Sequence, residues 1–511
     1  MRFRVCKVDS AVQSICMTER APFVVDDCDL PGLQSAVSKL AGFGYSEKAV
    51  RERLGVDDLA GLPWRATPIY RAERLASGDP LACAIDLFLL QGALRPGDLQ
   101  TMFSPSECDL LIRAGLLAIS PTGLARARAS LFPVGDRLIF SDHAWPELPH
   151  PGSYPVPADH VMAVGLDSRH LARCTTRRPF RTALDVCTGS GIHGLLASSH
   201  TERVVAVDIN PRAAACTLFN AGVLGIPNVE TVVGDLFEAV NGERYDLITA
   251  NPPFVPSPLD SLRFRDGGRS GEDIQKRIVA GLPRHLAPGG RAQIVTELGE
   301  REGEPLVNRL RAWLDGAPLD IHILRLGEHT AEKYAVGHAQ GEDYSAYLES
   351  VDAWAANLRA HAYTRVVSLV ISFEWSDPQF GPPWDRVDEA PPPRRDAGAE
   401  IDAIFEAERL VRRAGLPEMF KHSWVERAGP IAVLDAYLLG GAIDAKAKAT
   451  LLGQALTMEY FLDVAEREIL GRLDTRVAVP ELIRSLKQFD EAMVIEALRS
   501  LLRQRLVRIG Q

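Results

Sequence analysis

Ala183-Leu184-Asp185-Val186-Cys187-Thr188-Gly189-Ser190-Gly191 is an apolar run that ends in a Gly-rich turn. A helical pattern follows, from Ile192 to about Ser199. Further along, Val204-Val205-Ala206-Val207 ends on Asp208, and Val229 to Val233 is followed by Gly234-Asp235-Leu236-Phe237. A fourth run, Tyr245 to Ala250, ends in Asn251-Pro252-Pro253-Phe254. Short β-rich runs alternating with helical patterns predict βαβ units and a parallel sheet. Ligands of such sheets bind outside the carboxyl ends of the strands. The four polar signatures are therefore expected to share one crevice.

Each signature has a chemical reading. Gly189 and Gly191 let the backbone approach a ligand at a helix N-terminus. Asp185, closing the first strand, can accept a hydrogen bond from a ligand amino group. Asp208, closing the second, is placed for a ribose diol. Asp235, after the third, can meet an adenine exocyclic amine. A Gly-rich turn alone fits a nicotinamide dinucleotide equally well. Asn-Pro-Pro-Phe alone fits a plain strand-to-helix turn. The order of all four signatures, each at the end of its own strand, decides for a ligand site.

Together these motifs resemble the class I S-adenosylmethionine (SAM) methyltransferases. More narrowly, residues 180–300 are similar to amino-methyltransferases with an (Asn/Asp)-Pro-Pro-(Tyr/Phe) motif: HemK/PrmC protein glutamine enzymes, RsmC-like rRNA guanine N2 enzymes and DNA adenine N6 enzymes. The whole arrangement also looks like large bacterial methyltransferases with N- and C-terminal extensions. One departure is Cys187, where the family's first motif has Gly; a small residue still fits a tight turn.

The resemblance implies an α/β fold, a Rossmann-like class I methyltransferase seven-stranded sheet. It implies SAM as methyl donor and S-adenosylhomocysteine as product. Asp185, Thr188, Gly189, Gly191, Asp208, Ile209, Asp235, Leu236 and Asn251 form the expected cofactor set. Asn251, Pro252 and Phe254 form the expected catalytic set. The Asn251 side-chain carbonyl and the Pro252 backbone carbonyl would accept the two N–H bonds of a planar amide or amine. Phe254 would stack on that group, aiming the nitrogen lone pair at the methyl. Such catalysis is orientation plus electrostatics, without a covalent intermediate or a metal. Prolines 252 and 253 keep the loop extended and free of competing N–H groups.

The 511 residues suffice for three or four domains. With 46% hydrophobic and 24% charged residues, the composition is globular. The net charge of −10 argues against a general polyanion-binding surface and so disfavours rRNA or DNA as acceptor. The eight cysteines (Cys6, Cys16, Cys28, Cys83, Cys108, Cys174, Cys187 and Cys216) include no Cys-x-x-Cys pair, and residues 217–511 hold none. This is neither a disulfide framework nor a clear zinc site, and a cytoplasmic location fits. No apolar run reaches membrane-spanning length, and the N-terminus lacks a signal-peptide core.

Residues 1–77 read as an N-terminal region, helical from about Leu30. Residues 78–156 read as a winged-helix-like domain ending in a Pro-rich connection (143–156). Its third helix opens with the capping box Ser104-Pro105-Ser106-Glu107. Strands are expected at Leu124 to Val134 and Asp136 to Ile139. Winged helices read nucleic acid. Here the third helix carries Glu107, Asp109 and Arg113, so a packing or substrate-shaping role is the better reading.

The methyltransferase domain is expected over 157–375. Asp159, His160 and Ser168 precede its first strand and are second-tier site candidates. The Gly-rich loop Phe264 to Gly271 is expected either to close over the acceptor, with Arg265 or Arg269 reading its charge, or to be a solvated loop. An insert at 327–364 interrupts the last two strands. Its aromatic and acidic residues suit a cationic or aromatic acceptor. Pro253, Arg265, Tyr334 and Tyr344 are thus acceptor-side candidates, whereas Trp354 reads as a packing residue. Residues 376–400 read as a Pro-rich linker, and 401–511 as a mainly helical C-terminal domain ending in a second winged-helix-like fragment.

The expected activity is SAM-dependent N-methylation of a small molecule, peptide or protein. A nucleic-acid base methyltransferase and a non-catalytic SAM-binding regulator are the alternatives. A homodimer is compatible with this reading; the acceptor's identity is not written in the sequence.

Overall fold

The computed structural model of the chain describes residues 22–23, 29–143, 157–259, 262–434, 437–439, 442–444 and 447–510. Cys6, Cys16, Cys28 and nearly all of the Pro-rich connection lie outside the described residues. The chain divides into two compact units. One comprises Met1–Gly55, Ala66–His143 and Gly222–Gly225; the other comprises Val56–Arg65, Ala144–Ala221 and Ile226–Gln511.

In the first unit, Asp29 caps helix Leu30–Gly42 and Ser46 caps Glu47–Leu54. A helix from Pro80 widens to a π-helical turn over Ile85–Leu89. Strand Ala93–Leu94, helices Pro96–Leu99 and Pro105–Arg113, and strands Leu117–Ile119 and Ala125–Ala127 follow. Ser104 and Glu107 form the reciprocal capping box that their spacing predicts. Glu107 also pairs with Lys39 at 2.6 Å. The strand expected over 124–134 is split. Ala125–Ala127 is the middle of a three-stranded antiparallel sheet, whereas Ser130–Val134 pairs with Arg137–Ser141 in a separate hairpin.

The second unit is built on a sheet of eight strands among the described residues, one more than expected. These are β1 (Phe180–Val186), β2 (Thr201–Asp208), β3 (Val229–Val233), β4 (Tyr245–Ala250), β5 (Leu286–Glu300), β6 (Leu319–Thr330), β7 (Arg365–Trp375) and β8 (Asp385–Glu389). Their order is β3-β2-β1-β4-β5-β7-β6-β8, parallel except for β7. Leu184, Val186, Val205, Val207, Ile248, Ala250 and Ile294 face one core with helix α4 (Asp273–His285). Ala183, Val204, Ala206 and Leu247, which alternate with them on the opposite face, are buried too, which is why these strands read as continuous apolar runs.

The added strand lies in the stretch read as a linker, so that reading is corrected. Its residues alternate exposed and buried, but the buried ones are Arg386 and Asp388. Arg386 donates to Asp388 (2.7 Å), and His322 pairs with Asp388 (3.1 Å). A strand held by charge pairs has no hydrophobic alternation to reveal it. Helix Gly398–Arg412 then packs Ile401, Ile404 and Phe405 against Leu171, Leu324 and Val370. Below Phe405 lies the buried guanidinium of Arg291, 3.6 Å from the ring centroid and paired with Glu374 at 2.6 Å.

The C-terminal region is mixed rather than mainly helical. Strands Ile431–Leu434, Ala447–Leu451 and Glu459–Leu462 form one antiparallel sheet. Helix Val464–Arg472, strand Val477–Ala478, helices Val479–Ser485 and Glu491–Arg503, and strand Val507–Gly510 follow the element order of residues 80–119. The middle strand between Val477–Ala478 and Val507–Gly510 is Trp424–Arg427, supplied from upstream. In the N-terminal sheet the middle strand, Ala125–Ala127, comes from downstream. Among the described residues, no helix is long and apolar enough to cross a membrane.

Candidate active site

Val186 pairs with Val207 on one side and Ala250 on the other, so β1 and β4 end level and β2 one residue later, on Asp208. The residues that follow, Cys187, Asp208 and Asn251, therefore open on one rim. Cys187 sits at φ 58°, the left-handed conformation that glycine more readily supplies. Gly191 sits at φ 86°, and a Cβ there would stand 2.7 Å from the Thr217 methyl.

Asp208 holds this turn. Its Oδ2 accepts from Gly189 N–H (2.9 Å) and its Oδ1 from Asn210 N–H (2.9 Å). Burial pushes its carboxyl up, and the backbone donors Asn210, Gly189 and Ile209 oppose that. Ile209 is 49% exposed beside it, an apolar surface at the rim. Leu236 follows Asp235 at φ 49°. Asp235 keeps one oxygen on the Arg277 guanidinium at 2.8 Å.

Asp185 and Thr188 are placed differently from their expected cofactor contacts. Both are buried, and Thr188 donates its hydroxyl to Asp185 Oδ2 at 2.6 Å. Gly194 N–H donates to the same oxygen (3.1 Å), and the Thr249 hydroxyl donates to Oδ1 (2.9 Å). Both carboxyl oxygens of Asp185 are thus engaged inside the protein, shaping the turn from beneath. Burial pushes its carboxyl up to about 7, against these three bonds.

A ligand of nucleoside and carboxylate character fits this rim. A Cβ built on Gly189 meets no protein atom within 4 Å, so the turn opens on space. Backbone donors at the turn suit a carboxylate, Asp208 a diol and the exposed Ile209 a flat base, whereas the Leu236 side chain, expected at the cofactor, packs into the core. Among the described residues, no group of three or more His, Cys, Asp or Glu is arranged to hold a metal ion.

On the other side of β1 stands the Asn-Pro-Pro-Phe loop. Asn251 donates its side-chain amide to Asp167 Oδ2 (2.8 Å) and Ser168 Oγ (3.0 Å). Both lie in the first turn of helix α1 (Leu166–Cys174). Phe254 N–H and Val255 N–H donate to the Arg265 carbonyl, and Gly267 N–H to the Val255 carbonyl (3.1, 3.0 and 3.0 Å). The Gly-rich loop is therefore knit to the motif rather than free in solvent. His160 reaches the same loop, its ring centroid 4.9 Å from that of Phe264, and the Asp159 carbonyl accepts from Asn210 Nδ2 at 2.8 Å.

The insert buttresses the loop. Helices α5 (Ala331–His338) and α6 (Tyr344–Ala360) bury Tyr334 and Trp354 against Val255, with Phe254 packed at the edge. Arg265 ties to Asp266 at 2.8 Å and lies 5.7 Å from the Trp354 ring centroid. Arg269 is exposed, but its carbonyl and that of Pro256 accept from Asn357 Nδ2 at 2.8 and 3.1 Å. Tyr334 gives its hydroxyl to Glu297 Oε2 (2.7 Å), and Ser368 donates to Oε1 (3.1 Å). Burial raises the Glu297 carboxyl, with the charge of Asp167 acting in the same direction. The insert's aromatics thus form a packed support rather than an open cage. Tyr344 is corrected as an acceptor residue: it is 75% exposed at the start of α6, stacked near Tyr347.

Asp167, Arg277, Glu297 and Asn357 were missed in the sequence. Asp167 adjoins the flagged Ser168, and Asn357 lies three residues beyond Trp354, on the same helix face. Those were the available signals.

Comparison with known proteins adds the following. Residues 163–309 match the methyltransferase small domain, and residues 42–129 match a domain of unknown function. A release factor glutamine methyltransferase of Cereibacter sphaeroides is 32% identical over 161 residues, 29% of this chain and 56% of the relative. A ribosomal protein uL3 glutamine methyltransferase of Bradyrhizobium diazoefficiens is 37% identical over 151 residues, 26% of this chain and 46% of the relative. A putative protein N5-glutamine methyltransferase of Methanocaldococcus jannaschii is 34% identical over 140 residues, 26% of this chain and 68% of the relative. The chain spans about half the length of the first two relatives.

Proposed function

Because the chain belongs to the class I SAM-dependent methyltransferases, we propose that it methylates a planar amide nitrogen of a protein, of the glutamine side-chain type. The observation that carries this reading is the Asn251-Pro252-Pro253-Phe254 loop at the carboxyl end of β4, level with the turn that closes β1. The relatives named above are glutamine methyltransferases, which supports a protein acceptor.

In this reading, SAM supplies an electrophilic methyl group on a sulfonium sulfur. Asp208 would hold the ribose diol, the exposed Ile209 would flank the base, and Asp235 would face its amine. Asn251 Oδ1 and the Pro252 carbonyl accept the two N–H bonds of the acceptor amide, and Phe254 covers its face. The amide nitrogen is thereby held with its lone pair along the transfer axis. Bound SAM would supply its methyl group to that nitrogen, the C–S pair staying on sulfur, and the surplus N–H proton would leave to water. Orientation of the held partners and electrostatics together supply the rate.

The test is methyl-labelled SAM with purified enzyme and cell extract, separated into protein, nucleic-acid and small-molecule fractions. Label in protein that is recovered as N5-methylglutamine after digestion supports the proposal. Label confined to nucleic acid or small molecules overturns the acceptor class.

A further inference from the structure

We infer that Asp167 and Ser168 are positioning residues that fix which way the Asn251 amide faces, and so impose an N–H donor as the acceptor group. The inference rests on the proposed role of Asn251 but is read from different atoms. A carboxylate only accepts hydrogen bonds. Asp167 Oδ2 stands 2.8 Å from the Asn251 side chain, so the atom facing it must be the N–H-bearing nitrogen. Ser168 Oγ, at 3.0 Å, takes the same amide group. With Nδ2 committed on that side, Oδ1 is left for the crevice as an acceptor. A free asparagine would flip between presenting donors and presenting an acceptor, and half of its orientations would repel an N–H group.

The clamp is built into a rigid element. Asp167 and Ser168 occupy the first turn of α1, and Ser168 is buried. The next residue, Arg169, is 2% exposed and meets Asp58 Oδ1 at 2.8 Å; Arg173, one turn on, meets Asp58 Oδ2 at 2.9 Å. Asp58 belongs to the segment Val56–Arg65, part of the same compact unit. Helix α1 is thus held from below, while its N-terminal turn holds Asn251.

Asparagine-selective 15N labelling reads the clamp without an acceptor. The Asn251 side-chain signal is identified by its loss in Asn251→Ala. In Asp167→Ala it should move to the position of a solvated amide, with the SAM dissociation constant within about twofold of wild type. A signal indifferent to Asp167 overturns the inference whatever the acceptor. In the labelling assay, Asp167→Ala should lower kcat by roughly 10²-fold, the cost of misplacing a held partner, with Ser168→Ala milder. A polarity swap separates positioning from folding. Asn251→Asp alone sets two carboxylates together and should be inactive, whereas Asn251→Asp with Asp167→Asn restores a donor to the clamp and should recover activity. A swap no better than Asn251→Asp overturns the inference. A clamp seen by NMR with no label in protein would sink only the acceptor proposed above.

Discussion

The Gly189 backbone N–H donates to Asp208 Oδ2 at 2.9 Å, so a carboxylate at the end of β2 holds the glycine turn at the end of β1. One side chain thereby shapes the turn and stands at the rim as the proposed diol acceptor. Asp208→Ala removes both roles. A hydrogen bond to a charged group contributes about 1.5–3 kcal/mol, so the SAM dissociation constant should rise roughly 10- to 100-fold. Titration calorimetry measures it, and an unchanged constant discards the ribose assignment.

Asp185 keeps its proton well above the usual carboxylate range. Its carboxyl is raised to about 7 by burial, above the unfolded value near 4. The neutral form is therefore favoured by folding: its contribution is complete below pH ~4 and is lost as pH rises toward about 7. Asn at this position mimics the neutral acid. Its oxygen can accept from Thr188 and Gly194, while its amide donates to the Thr249 hydroxyl. Asp185→Asn should flatten the fall of Tm between about pH 4 and 7 and change SAM affinity only a few-fold. A hundredfold loss of affinity would return Asp185 to the cofactor.

Asn357→Ala should loosen the acceptor side alone. It leaves the carbonyls of Pro256 and Arg269 without this donor, at a local cost of about 1–3 kcal/mol. Hydrogen exchange at the Val255 and Gly267 amides should quicken and kcat should fall about tenfold, with SAM binding intact. Wild-type exchange rates would show that α6 does not brace the loop.

Asp58→Ala tests the anchoring of α1. Arg169 is buried, and removing a buried ion-pair partner costs about 3–5 kcal/mol. Asp58 is itself 20% exposed in its side chain, which lowers the expectation to roughly 2–4 kcal/mol. The pair with the arginines holds the Asp58 carboxyl low despite burial, so its contribution is present above the unfolded value and lost as pH falls. Chemical denaturation of wild type and variant gives the difference. Equal stability would mean that the helix is held by other contacts.

Much of the sheet was legible because its signals are local. The βα turns carry Gly and Asp at strand ends, and the continuous apolar strands announce burial on both faces. What stayed hidden was held by polar contacts. Strand β8 escaped because its inward residues, Arg386 and Asp388, look like solvated charges. Tyr334 read as a pocket wall because an aromatic in an insert has no sign of whether its hydroxyl will find a buried Glu297.

The sequence by itself determined a parallel α/β sheet, the crevice at its carboxyl ends and the presence there of Asp208 and Asn251, since strand period, glycine turns and Pro-Pro stiffness act within a few residues. Only the tertiary structure decided that Asp185 braces the turn, 64 residues from Thr249, and that Asn251 is clamped by Asp167, 84 residues away. It also decided that Trp424–Arg427 completes the last small sheet from upstream. These are pairings between groups whose hydrogen-bonding capacity is common to every such residue in the chain. Which pair forms depends on where the packed strands and helices bring them, and no local pattern encodes that distance.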